Sequence, residues 1–119
     1  MARILVAEDD QFTREMVQRA LQADGHEVKM AGDGSEALDA FDEDPAFDLV
    51  ITDVEMPNLD GLTLVESILV KNADQKVIII SGLADELTKA RALLGPSVRM
   101  IAKPVTLGTV RGEANELLG

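Results

Sequence analysis

Four apolar runs in this chain end in a residue able to do chemistry. Ile4-Leu5-Val6-Ala7 is followed by Glu8-Asp9-Asp10, and Leu49-Val50-Ile51-Thr52 by Asp53. Ile78-Ile79-Ile80 leads to Ser81, and Met100-Ile101-Ala102 to Lys103-Pro104. Taken singly, each is an ordinary polar residue closing a strand. Together they offer carboxylates, a hydroxyl and an amine. Two unit charges about 4 Å apart repel by roughly 4 kcal/mol at an effective dielectric near 20. Glu8, Asp9 and Asp53 would therefore strain a shared site unless a cation sat among them. Hard carboxylate oxygens on an open rim suit Mg²⁺, which keeps several waters and takes few protein ligands. A carboxylate can also act as a nucleophile and form an aspartyl phosphate. That reaction needs positive charge around the equatorial phosphoryl oxygens, which Mg²⁺ and Lys103 could supply, with a hydrogen bond from Ser81. The set is sufficient to accept a phosphoryl group from a reactive donor. Nothing in it activates a poor donor such as ATP, since no Walker loop, kinase-type glycine loop or arginine finger is in view.

These residues converge only if the intervening elements place them on one edge. The apolar runs are Ile4–Ala7, Val28–Ala31, Leu49–Thr52, Val77–Ile80 and Val98–Ala102. Val28–Ala31 is short and interrupted by Lys29, which predicts an edge strand. Between the runs lie helical patterns. Phe12, Met16, Val17, Ala20 and Leu21 form one stripe, with Asp10 as cap and Gly25 as stop. Asp33-Gly34-Ser35-Glu36 reads as a capping box ahead of Ala37, Leu38 and Phe41. Leu62, Val65, Ile68 and Leu69 make a third stripe. Leu87, Ala90 and Leu94 make a fourth, stopped by Gly95-Pro96, and Leu107, Val110, Ala114 and Leu117 a fifth. Strands alternating with helices predict an α/β domain with a parallel sheet. In such sheets the site lies beyond the carboxyl ends of the strands, at the switch point.

Composition narrows the function classes. At 119 residues the chain fits one domain, spanning 1–119. Acidic residues number 22 against 11 basic, a net charge of −11, which repels a phosphate backbone. Direct nucleic-acid binding is not expected, and the three aromatics, all Phe, offer no platform for stacking bases. There is no Cys, so disulfides and thiolate metal sites are excluded. The single histidine, His26, is expected as a solvated turn residue. No apolar run approaches membrane length, so a soluble, cytoplasmic protein is expected.

In order and spacing the motifs resemble a bacterial two-component response-regulator receiver domain. They are Glu8-Asp9, Asp33-Gly34-Ser35-Glu36-Ala37-Leu38, Asp48 to Asp53, Met56-Pro57, Asp60-Gly61, Ser81-Gly82 and Lys103-Pro104. The resemblance covers essentially the whole chain and implies a flavodoxin-like fold with strand order 2-1-3-4-5. It implies that Asp53 is the phosphoacceptor. Asp9 and Asp53 would ligate Mg²⁺ directly, with the main-chain carbonyl of Glu55, and Glu8 through a metal-bound water. Ser81 would bind the phosphoryl group and move with it. Lys103 would pair with the phosphoryl oxygens, and its bond to Pro104 would be cis. The implied donor is a sensor histidine kinase or a histidine phosphotransfer protein, and output would pass to another protein. The domain would be no enzyme in the turnover sense, catalysing only its own phosphorylation and dephosphorylation. A monomer is expected, with weak association through the last helix left open.

Two positions depart from the family. Met100 stands where a Tyr or Phe is usual, and Val105 where Phe is common. The switch is therefore expected to run through Ser81, Gly82 and the loop to Ala84, then the helix after it, with Met100 following passively. The rival enzyme is a haloacid-dehalogenase-like phosphatase, which also uses an Asp nucleophile, Mg²⁺ and Lys. There the nucleophile follows the first strand and a cap covers the substrate. A flavin or nucleotide binder is disfavoured by the acidic loop after the first strand. A pure interaction module is disfavoured by the intact acid, hydroxyl and lysine set.

Overall fold

The computed structural model describes residues 2–82 and 97–119. The fourth expected helix, with Leu87, Ala90, Leu94 and its Gly95-Pro96 stop, lies outside the described residues, as do Leu83 and Ala84 of the expected switch loop. The described elements are β1 (Arg3–Ala7), α1 (Gln11–Ala23), β2 (Glu27–Ala31), α2 (Gly34–Glu43), β3 (Leu49–Asp53), α3 (Gly61–Lys71), β4 (Val77–Ser81), β5 (Val98–Ala102) and α4 (Leu107–Leu118). All five strands pair in parallel, in the order β2-β1-β3-β4-β5. This is the flavodoxin-like arrangement.

Given this order, the handedness of crossovers fixes which face each helix covers. A parallel strand–helix–strand connection is right-handed, so reversing the direction of travel across the sheet moves the helix to the other face. From β1 the chain steps to β2 with α1 on one face. It then returns past β1 to β3 and on to β4, with α2 and α3 on the other. Side-chain alternation divides the core accordingly. Ile4, Val6, Ile51, Ile78 and Ile80 pack with Val17, Ala20 and Leu21 of α1 and Val110 and Ala114 of α4. Leu5, Ala7, Val50, Val77 and Ile79 pack with Ala37 and Phe41 of α2 and Leu64, Val65 and Ile68 of α3. Strands β3 and β4 are buried along their whole length, the mark of a sheet covered on both faces. β2 is the expected edge strand, with Glu27 and Lys29 exposed.

Caps fix where the helices start. Asp10, Asp33 and Asp60 each accept from the backbone N–H three residues on, at 2.8 to 2.9 Å. The capping box differs in one bond: Glu36 Oε2 accepts from Gly32 N at 3.0 Å rather than from the cap residue itself. Three packing expectations also change. Phe12 is 77% exposed and Leu107 47% exposed. Each lies in the first turn of its helix, at the rim, where the sheet no longer runs beneath. His26 is half-buried rather than solvated. Its Nδ1 accepts from Ala2 N at 3.1 Å and its Nε2 lies 3.4 Å from Asn115 Oδ1, because the β2 start sits beside both the chain start and α4.

Candidate functional site

Strands β1 and β3 are neighbours at the centre of the sheet, on either side of the switch point. Asp53 is the last residue of β3, and Glu8 and Asp9 follow β1 directly. Their carboxylates converge: each offers one oxygen within 4.8 Å of the others. Glu8 and Asp53 are almost fully buried, at 2% and 3% exposure, while Asp9 stands exposed at the rim. Ser81, also buried, ends β4 beside β3. Its backbone carbonyl accepts from Lys103 N at 2.9 Å, which fixes the start of the turn after β5. Lys103 Nζ then reaches back to Asp53 Oδ2 at 2.8 Å. The Lys103–Pro104 bond is cis, as expected. Gly82 borders the Lys103 stem.

Asp10 is the helix cap and stands apart from the acidic cluster in role. Its Oδ2 accepts from Thr13 N and from Thr13 Oγ1, while its own N–H donates to Glu8 Oε1 at 3.0 Å. The sequence pattern alone does not point to Arg14. Its Nη1 donates to the Glu8 carbonyl at 3.0 Å and braces the turn that carries both acids. The signal for it was a basic residue one turn into the helix that follows an acidic pair. Met100 packs, half-buried, against the core on the α2–α3 face.

The electrostatics are those of crowded carboxylates. Burial pushes the Glu8 carboxyl from its ordinary 4.5 up to about 7; the Asp10 N–H opposes the rise and the charge of Asp53 adds to it. Burial alone would lower the Lys103 pKa, but its bond to Asp53 and the charges of Asp53, Glu8 and Glu55 outweigh that and leave it raised. One lysine thus serves several acids. With Glu8 ionised, Asp53 Oδ1 is buried with no hydrogen-bond partner among the described residues; a protonated Glu8 donates to the Asp53 carboxylate, and that bond adds to the rise in the Glu8 pKa. A buried carboxylate oxygen without a donor is costly unless a cation completes it. That orphan oxygen, flanked by two more carboxylates, fits a hard divalent ion such as Mg²⁺.

The Glu8 shift makes a stability prediction for the metal-free protein. The folded state holds this proton more tightly than the unfolded chain. Between about pH 4.5 and 7 it therefore binds more protons, and stability falls as pH rises through that window. A rise from about pH 5 to about pH 8 should cost up to about 3 kcal/mol in urea unfolding. Glu8→Gln should flatten the slope. Asp10, Asp24 and Asp33 are held below their ordinary 3.8, so their contributions are lost only in a separate, more acid window. A metal-free wild type with level stability from pH 5 to 8 would refute the assignment to Glu8.

The sequence model of the response regulator receiver domain matches residues 4–115. The chain belongs to that family. Among curated relatives, the receiver domain is 36% identical over 105 residues to the chemotaxis protein CheY of Treponema pallidum, covering 87% of this chain and 73% of that one. It is 30% identical over 118 residues to the response regulator receiver protein CpdR of Brucella abortus, covering 99% and 98%. A crystal structure of a response regulator receiver domain protein from Clostridium thermocellum superposes with a TM-score of 0.88 at 30% identity, covering 99% and 94%. No described helix of the receiver domain is long and apolar enough to cross a membrane.

Proposed function

We propose that this receiver domain is a phosphorylation switch in a two-component or phosphorelay system, with Asp53 as the Mg²⁺-dependent phosphoacceptor. The observation that carries the reading is the state of the Asp53 carboxylate. One oxygen is held by Lys103, and with Glu8 ionised the other is buried without a partner beside Glu8 and Asp9. When bound, Mg²⁺ would neutralise the carboxylates and the incoming phosphoryl oxygens. Glu8, Asp9, Asp53 and the Glu55 carbonyl would hold it.

The chain's own residues do the rest. Asp53, fixed at the end of a fully buried strand, attacks phosphorus as a new P–O bond forms and the P–N bond of a donor phosphohistidine breaks. The donor's second ring nitrogen carries a proton, so the imidazole departs neutral and Asp53 attacks as the free carboxylate. Lys103, already within hydrogen-bond reach of Asp53, meets the charge that arrives. Ser81 ends the adjacent strand, where its hydroxyl can bind a phosphoryl oxygen. A later attack by water returns phosphate and free Asp53, so the domain catalyses only changes to itself. The donor is a sensor histidine kinase or histidine phosphotransfer protein. A groove of about 570 Å³ lined by Phe12, Met16, Lys103, Pro104 and Val105 opens beside the site and suits such a docking partner. It also gives the exposed Phe12 a use. The output partner is a protein that distinguishes the two states. The phosphatase alternative requires the nucleophile after the first strand; here β1 leads into Glu8 and Asp9 and the paired carboxylate ends β3, which favours the receiver reading.

The test is metal binding. Asp9 is exposed, so Asp9→Asn removes a ligand and a charge without disturbing the core. Mg²⁺ affinity measured by calorimetry should fall at least about tenfold, or about 1.4 kcal/mol. The metal-free variant should be no less stable than wild type, because repulsion is relieved. Binding equal to wild type would place the ion elsewhere.

A further inference from the structure

The loop between β3 and α3 carries Glu55, and its far half is held by α2. Asn58 has φ of +69°, a left-handed conformation that Asn adopts more readily than most side chains. So placed, its Nδ2 donates to Asp33 Oδ2 at 2.8 Å. The other oxygen of that carboxylate, Oδ1, accepts from Glu36 N at 2.8 Å and caps α2. The next residue on each side also meets. A Cβ at Gly34 would lie 2.0 Å from the Leu59 carbonyl oxygen, so the loop comes this close only because position 34 is glycine. Capping needs one oxygen, and Ser would serve. The second oxygen, the left-handed Asn and the glycine are all unneeded by the helix and all bear on the loop.

We propose that Asp33 and Asn58 form a clamp that positions the β3–α3 loop, holding the Glu55 carbonyl where a cation among Glu8, Asp9 and Asp53 can use it. The clamp rests on the reading of that cluster as a Mg²⁺ site. Both residues are positioning residues and neither touches the ion. Because one carboxylate serves both the loop and the first turn of α2, the two move together. The start of α2 is then mechanically tied to the occupancy of the site.

Two variants separate the clamp from the cap. Asp33→Ser retains a capping oxygen but is too short to reach Asn58. Asn58→Gly keeps the positive φ without strain and removes the amide. In the full chain, each should weaken Mg²⁺ binding about three- to tenfold by calorimetry, at or below the low end for residues that orient metal ligands. The double variant should be no weaker than the worse single, since both break one bond. Asp33→Asn should bind about as tightly as wild type: its oxygen still caps, and its amide nitrogen can donate to Asn58 Oδ1 once the Asn58 amide turns over. Thermal unfolding without metal confirms that each variant is folded. If Asp33→Ser unfolds, Asn58→Gly with the Asp33→Asn rescue carries the test. Unchanged affinity in Asn58→Gly, or losses that multiply in the double variant, would overturn the clamp. A wild-type chain that binds no Mg²⁺ would overturn the site reading, and the clamp with it.

Discussion

Acetyl phosphate and Mg²⁺ should label the wild-type chain at Asp53, and Asp53→Asn should reduce labelling to background. The substitution changes shape very little but replaces the nucleophilic carboxylate with an amide, whose oxygen is a far poorer nucleophile. The same change removes the partner of Lys103 and one of the charges that raise the Glu8 pKa. The variant should therefore stay folded, with its pH-dependent loss of stability shifted toward lower pH. A chelator should abolish labelling of the wild type, because one lysine cannot offset three carboxylates and an incoming phosphoryl group. Mass spectrometry of the intact protein and of its peptides reads both effects. Strong labelling of the Asn variant, or labelling indifferent to chelation, would sink the phosphoacceptor reading.

The positions of these groups were legible because strand ends are legible. Short apolar runs, three of them nearly continuous, locate the five described strands to within a residue, and the residue after each run has to lie on one edge of a parallel sheet. Their placement on one edge follows from that alone; it is the strand order, which the resemblance implies, that brings Glu8, Asp9, Asp53, Ser81 and Lys103 together. Periodicity could not say where the sheet stops beneath a helix. Phe12 fits the α1 stripe and Leu107 the α4 stripe, yet both sit in first turns beyond the strand ends and face outward. His26 departs from the expected solvated turn for a related reason: its partners are Ala2 and Asn115, and no local pattern pairs residues so far apart. The capping box was recognised by its spacing, but the second use of Asp33, on Asn58, is a contact between loops. Its one local trace is an Asn just ahead of Leu59-Asp60-Gly61.

Gly61→Ala should be among the most damaging single methyl groups that the described residues can receive near the site. Gly61 opens α3, and its N–H donates to the Val54 carbonyl at 2.9 Å. A Cβ there would lie 2.0 Å from the Asp53 carbonyl oxygen and 2.9 Å from Val54 Cα. Both are backbone atoms at the end of a buried strand, with no flexible side chain to yield. The helix would have to withdraw by about an ångström or more, stretching the Gly61–Val54 bond and loosening Leu64, Val65 and Ile68 in the core. Overpacking of this kind costs about 3 kcal/mol or more, a fall in Tm on the order of 10 °C for a domain of this size. The strain falls on the peptide that carries the phosphoacceptor, so Mg²⁺ affinity should drop in whatever fraction remains folded. Gly112→Ala supplies the opposite sign. Gly112 lies within α4 with nothing within 4 Å of a Cβ, and there the added methyl should stabilise by about 0.5 to 1 kcal/mol through helix propensity. Calorimetric melts of the two variants beside wild type decide the matter. If Gly61→Ala melts within about 2 °C of wild type, then α3 does not rest on the Asp53 peptide.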